Sequence, residues 1–213
     1  MAVASLHDVV VTAGSFPLLA GVTLTLEPSK IYVITGPNGA GKTSLLRLLA
    51  GLEAPSRGTG SVLDFDLNTS ARRELRRHVG WLGHEGSFYD DLSATENLRF
   101  AAQITGADVT LIGGALERVG LSHRVDTPLK SLSAGQRRRV GMAWFIVRRP
   151  QLWLLDEPYA SLDDEGRSLI SALISGASAN GATIVLSSHD QLRDEIAATS
   201  VPMVGGRILE DHS

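Results

Sequence analysis

Eight residues constrain this chain more than any others: Gly36-Pro37-Asn38-Gly39-Ala40-Gly41-Lys42-Thr43, which fit the pattern G-x-x-x-x-G-K-[ST]. An apolar, β-rich run, Ile31 to Thr35, precedes them. A leucine-rich helical pattern, Leu45, Leu46, Leu48 and Leu49, follows and stops at Gly51. A strand, a glycine loop and a helix in that order form a cradle for nucleotide phosphates. Glycines 36, 39 and 41 let the backbone take positive φ and bring its N–H groups to phosphate oxygens. The new helix aims its N-terminus, with a partial charge of roughly +0.5, at the same anion. Lys42 adds a full positive charge for the β- and γ-phosphates. Thr43 offers a hydroxyl to Mg²⁺, and Ser44 continues the cradle. A plain glycine turn would not also need Lys and Thr in those two places.

Bulk properties narrow the class. The 213 residues suffice for one large domain with a subdomain. A net charge of −3 supplies no global basic field, so no nucleic-acid partner is expected. The absence of cysteine excludes disulfides, thiol chemistry and Cys-ligated metal. The longest apolar run, Val140 to Val147, is far below the roughly 18 residues that span a bilayer. The N-terminus lacks the basic start and apolar stretch of a signal peptide. A cytoplasmic protein is expected, with any membrane role exerted through a partner.

Strands are expected at Leu6 to Thr12, Val22 to Glu27, Ile31 to Thr35, near Val62 to Phe65 and at Val79 to Leu82. Ser70 to His78 reads as a helix whose Arg72, Arg73, Arg76 and Arg77 form a solvated face. From Ser93 to Arg149 the pattern is helical. Ser93-Ala94-Thr95-Glu96 is a capping box, Gly120 closes a helix weakened by Gly113 and Gly114, and Pro150 ends the last one. Alternation then returns: Leu152 to Leu155 strand, Asp164 to Ser175 helix, Thr183 to Leu186 strand, Gln191 to Ala197 helix, and a hairpin through Gly205-Gly206. This is an α/β fold with a mainly parallel sheet, N-terminal strands and an inserted α-helical subdomain. The single domain spans 1–213, with 1–83 and 150–213 as the core and 84–149 as the insertion.

Leu152-Trp153-Leu154-Leu155-Asp156-Glu157 is a buried strand ending in two carboxylates. At its tip Asp156 can hold Mg²⁺, and Glu157 can polarise a water for in-line attack. Leu132-Ser133-Ala134-Gly135-Gln136 precedes a helix carrying Arg137, Arg138 and Arg139. Ser133 suits an N-cap, and that helix start offers unpaired N–H groups to an anion.

Together these residues resemble the ATP-binding-cassette family along nearly the whole chain. Gly36 to Thr43 resembles its Walker A motif, Leu152 to Glu157 its Walker B, and Leu132 to Gln136 its LSGGQ signature with Ala134 replacing the first glycine. Ala160-Ser161-Leu162-Asp163 resembles the D-loop, and His189 falls at the switch histidine. The resemblance implies a P-loop NTPase fold, ATP and Mg²⁺, and a dimer in which two cassettes enclose two ATPs head to tail. It implies Glu157 as general base, with Lys42 and His189 on the γ-phosphate. Ser133, Gly135 and Gln136 would act from across the interface, and Asp163 would link the sites.

Three positions depart from the family. His84, followed by Glu85, stands where the Q-loop glutamine is expected; either side chain could approach the metal or the attacking water. Ala13 stands where an aromatic usually stacks on adenine; Phe16 could substitute or pack within its loop. Trp144 replaces a common arginine and reads as a core residue. Gly83-His84, the segment Leu92 to Leu98, and Leu132 to Val140 resemble the haem-exporter cassette of cytochrome c maturation, although Glu85 differs from that subfamily's glutamine. That resemblance implies integral membrane subunits as partners and a peripheral place on the inner face of the membrane; the alternatives the same motifs allow are the cassette of another small-molecule exporter and a soluble cassette ATPase without a transport role. Phe88 and Tyr89 would then lie in the groove for the partner's coupling helix, or pack on the insertion.

Overall fold

The computed structural model describes residues 1–83, 88–188 and 196–209. The chain begins with an antiparallel pair, β1 (Ala4–Ala13) and β2 (Phe16–Leu26), and then enters the central sheet at β3 (Ile31–Thr35). The phosphate loop leads into α1 (Lys42–Leu49). Next come β4 (Arg57–Val62), β5 (Phe65–Asp66), a single turn α2 (Arg72–Leu75) and β6 (Val79–Leu82). The helical stretch holds α3 (Ala94–Thr105), α4 (Ile112–Arg118) and α5 (Ala134–Arg148). The chain returns to the sheet with β7 (Leu152–Leu155), α6 (Asp164–Ala179), β8 (Thr183–Ser187), β9 (Thr199–Val204) and β10 (Arg207–Ile208). A four-stranded sheet has the order β2-β1-β4-β5, and a six-stranded sheet the order β10-β9-β3-β8-β7-β6. The larger sheet is parallel from β9 to β6, with β10 antiparallel at the edge.

Period-two side-chain alternation assigns the central strands to two cores. Ile31, Val33, Trp153, Leu155, Ile184 and Leu186 face the helices α3 to α6. Tyr32, Ile34, Leu152, Leu154 and Val185 face α1 and the antiparallel sheet. Both faces are covered, so these strands carry almost no polar residues until their C-terminal ends.

Several elements differ from the sequence expectations. β1 slightly overruns Leu6 to Thr12, whereas β2 begins well before Val22 and ends at Leu26 rather than Glu27. β2 accommodates Pro17 because it lies at the sheet edge, where a missing N–H costs little. The strand expected near Val62 to Phe65 is a hairpin, turned at Leu63 and Asp64, whose φ values are 47° and 64°. Two consecutive positive-φ residues give a turn whose twist matches the strands; Asp64 suits that conformation, whereas Leu63 is not a typical turn former. Only Arg72 to Leu75 of the helix expected over Ser70 to His78 forms, since Leu75 alone is buried there. Gly113 and Gly114 lie inside α4 without disrupting it. Trp144 is half-buried and lines a groove rather than sitting in the core. Of the helix expected over Gln191 to Ala197, residues 191–195 lie outside the described residues.

Candidate nucleotide site

Three neighbouring parallel strands, β3, β8 and β7, end at the same edge and deliver the site's polar groups there. From β3 the chain passes into Gly36, Gly39 and Gly41 at φ of 145°, 77° and 100°, values that favour glycine. Two of these glycines are also required by space. A Cβ on Gly36 would stand 2.1 Å from the Met203 carbonyl oxygen, and one on Gly41 would stand 2.8 Å from that of Leu18. The loop is thus wedged between β2 and the β9–β10 turn, where Gly206 N–H donates to Ala40 O at 2.9 Å. Pro37, Asn38 and Gly39 form its exposed crest, while Ala40 and Lys42 are buried and Ser44 is half-buried. Lys42 Nζ donates to the carbonyls of Gly36 at 2.7 Å and Pro37 at 3.2 Å, which holds the ammonium inside the curve of the loop.

From β7 comes Asp156, only 4% exposed. Its two carboxylate oxygens are both engaged: Thr43 Oγ1 donates to Oδ2 at 2.9 Å, and Ser187 Oγ donates to Oδ1 at 2.6 Å. The Ser187 hydroxyl, contributed by β8, also accepts the Glu157 N–H at 2.9 Å. One network therefore joins the phosphate loop, the paired carboxylates and the strand between them. Thr43 and Asp156 together present a hydroxyl and a carboxylate, the hard oxygen donors that Mg²⁺ takes. Glu157 has a left-handed backbone, φ 50°. Arg138 Nη1 donates to the Asp156 carbonyl at 2.9 Å. Burial holds the Arg138 guanidinium below its ordinary pKa, opposed by the charges of Asp156 and Glu157.

The Leu132 to Gln136 segment stands apart from the phosphate loop. Ser133 caps α5: its Oγ accepts the Gln136 N–H at 3.2 Å, and Gln136 Oε1 accepts the Ser133 N–H at 3.0 Å. This full capping box engages the Gln136 side chain within its own helix start. Gly135 has a steric role, because a Cβ there would stand 2.9 Å from Ser161 O. Ala134 is exposed, so its replacement of the family's glycine meets no obstacle. Asp163 caps α6 by accepting the Gly166 N–H at 2.8 Å, and it faces Arg139 at 3.5 Å. His84, Glu85 and His189 lie outside the described residues. Among the described residues, no cluster of three His, Cys, Asp or Glu could hold a metal. The sequence reading missed Ser187 and Arg138. A serine closing an otherwise apolar strand was the available signal for Ser187; Arg138 had none.

A second feature lies behind the α5 start. A groove of about 840 Å³ runs between β6, α3 and α5, lined by Trp81, Phe88, Tyr89, Phe100, Ile104 and Trp144 among others. Tyr89, Phe100 and Ile104 are 57%, 42% and 69% exposed, an unusual density of large apolar side chains in contact with solvent. Tyr89 and Phe100 meet edge to face at 5.3 Å. Arg148 reaches along this groove to the carbonyls of Val79 and Arg76. Phe16, at the tip of the β1–β2 hairpin, is 75% exposed.

A strand-edge phosphate loop bonded to a buried aspartate, with a capped helix start displayed elsewhere, defines an ATP-binding cassette. Residues 19–160 match the family model described as ABC transporter, and the chain belongs to that family as an ATP-hydrolysing cassette. The cytochrome c biogenesis ATP-binding export protein CcmA 2 of Cupriavidus metallidurans is 36% identical, over 96% of this chain and 98% of its own. The CcmA protein of Rhodopseudomonas palustris is 42% identical, over 84% and 88%. A dimeric ATP-binding cassette in a post-hydrolysis state, bound to ADP and Pi, superposes with a TM-score of 0.88 at 22% identity, over 97% of each chain. That likeness places the fold among the cassettes. No helix among the described residues is long and apolar enough to cross a membrane.

Proposed function

We propose that this chain is the ATPase subunit of a transporter serving cytochrome c maturation, with haem as cargo and separate integral membrane subunits as partners. It works as a cassette dimer on the inner face of the cell membrane. The named role of its relatives supports the assignment. The apolar groove supports the partner, since an amphipathic helix laid into it would cover Tyr89, Phe100 and Ile104.

The chain's own residues divide the reaction as follows. Gly36 to Ser44 wrap the phosphates, and Lys42 neutralises charge on the β- and γ-phosphates. Thr43 and Asp156 would hold Mg²⁺, which when bound would supply positive charge to the phosphate oxygens. Glu157 accepts a proton from water as that water's oxygen bonds to the γ-phosphorus. The bond from phosphorus to the β–γ bridging oxygen breaks, and ADP leaves with its electron pair. Ser133, Gly135 and Gln136 act on the nucleotide of the second copy, through the α5 start and its dipole. The roles of His189 and His84 rest on the family resemblance. Nucleotide completes the interface, so hydrolysis releases it. The observation that carries this reading is the bond from Thr43 to Asp156, which ties phosphate loop to carboxylate strand. Glu157→Gln is expected to abolish turnover and leave an ATP-trapped dimer on size exclusion. Persistent turnover would remove Glu157 as the base.

A further inference from the structure

One half-buried cation near the site is tied to its backbone rather than to its carboxylates. Arg138 lies on α5, in the second turn after the capping Ser133, and its Nη1 donates to the Asp156 carbonyl at 2.9 Å. That carbonyl and the Glu157 N–H belong to the same peptide unit. The N–H donates to Ser187 Oγ at 2.9 Å. Both poles of this peptide are therefore held, one from α5 and one from β8. The next peptide is held too, because Ala160 N–H donates to the Glu157 carbonyl at 3.1 Å. Between these two fixed planes Glu157 sits at φ 50°, a conformation that a non-glycine residue keeps only where its surroundings over-determine it. Once those planes are fixed, the direction in which the Glu157 side chain leaves the backbone is fixed as well.

We propose that Arg138 is a positioning residue for Glu157: it holds the peptide that aims the carboxylate, and it carries displacements of α5 to that carboxylate. The proposal rests on the reading of Glu157 as general base. The N-terminus of α5 is the segment assigned to the second copy's nucleotide. Arg138 thus joins the group that senses one ATP to the group that attacks the other. Each site aligns its base when its own α5 start is engaged, which makes the two sites turn over together. Asp156 is anchored independently of this link, since its N–H donates to Leu82 O at 2.8 Å and its carboxylate is held by Thr43 and Ser187. Losing Arg138 therefore releases the base without releasing the phosphate loop.

The test uses the full chain and steady-state ATP hydrolysis, with thermal unfolding as a check on folding. Arg138→Met is expected to lower kcat by about 10- to 100-fold, the scale of a misplacement near 1 Å, with KM for ATP changed less than about threefold. Arg138→Lys, whose ammonium can donate to the same carbonyl, is expected to restore kcat to within about threefold of the parent. The double variant Glu157→Gln/Arg138→Met is expected to form the same ATP-trapped dimer as Glu157→Gln alone. A kcat for Arg138→Met within about threefold of the parent overturns the proposal. So does a loss confined to KM, a failure of Lys to restore the rate, or a double variant that no longer traps the dimer. If Arg138→Met does not fold, Arg138→Ala, which also lacks a donor, takes its place under the same limits. Persistent turnover in Glu157→Gln alone is a separate result, which removes the base assignment itself.

Discussion

Ser187→Ala removes one oxygen atom from the centre of the site. Ser187 is fully buried, and its hydroxyl donates to Asp156 Oδ1 at 2.6 Å while accepting the Glu157 N–H at 2.9 Å. Alanine leaves the β8 backbone unchanged but orphans both partners. A buried N–H without an acceptor costs about 1–3 kcal/mol, and a lost hydrogen bond to a charged carboxylate costs about 1.5–3 kcal/mol. The space vacated is a single oxygen, too small for a replacement water. The sum is about 2.5–6 kcal/mol, which for a chain of this size lowers Tm by at least roughly 5 °C. Urea unfolding reads the loss as a fall in midpoint with an unchanged slope. The control is Ser178→Ala, whose hydroxyl donates to Ser29 O at 3.0 Å at an exposed position and whose loss costs within about 0.5 kcal/mol. Turnover falls as well, because the peptide carrying Glu157 loses its tie to β8. A loss of stability below about 1 kcal/mol for Ser187→Ala would refute the claim that this hydroxyl is the joint between β7 and β8.

Three further outcomes follow from the geometry. Gly36→Ala places a Cβ 2.1 Å from Met203 O at φ 145°, so it abolishes ATP binding measured by nucleotide fluorescence even if the chain remains folded. Ile104→Asp, on the exposed wall of the groove, leaves ATP hydrolysis by the isolated chain within about twofold and eliminates co-purification with the membrane subunits, as expected for a central apolar contact. The two capping boxes differ in their response to acid. The Ser93 N–H, and then the Ser93 hydroxyl, hold the Glu96 carboxyl below its ordinary range. Its stabilising contribution is therefore present above the ordinary carboxylate pKa and is lost as pH falls through the depressed value. Gln136 plays the same part in α5 without titrating. Hydrogen exchange should thus show the α3 start, and not the α5 start, losing protection in acid, and Glu96→Gln should remove the difference.

The elements most legible in the sequence are those buried on both faces. Ile31 to Thr35, Val79 to Leu82 and Leu152 to Leu155 show the same bounds in sequence and structure, because each is a short apolar run enclosed by residues that turn or carry charge. The capping box at Ser93 was equally plain, since its chemistry is local. The antiparallel sheet was harder to read. β2 starts at Phe16, where only one face is covered and Pro17 disguises the strand. The Leu63–Asp64 turn is held by the pairing of β4 with β5, and Asp64 alone, beside a leucine, is a weak signal for it.

The site divides along the same line. Gly36 to Thr43 and the Asp156-Glu157 pair are legible because each works through contiguous chemistry. Ser187 acquires its role only when β8 lies between β3 and β7, which brings its hydroxyl to an aspartate 31 residues earlier in the chain. Arg138 acquires its role only when α5 packs so that a guanidinium reaches a strand-end carbonyl 18 residues away. In both cases the partner is a backbone group or a shared carboxylate, and such partners leave no spacing in the sequence to detect. Side chains that touch nucleotide are selected by local motif, while those that hold them in place are selected by topology. In this cassette Arg138 forms the physical connection between α5 and the peptide that carries Glu157, and on the proposed reading that connection runs from one nucleotide to the other.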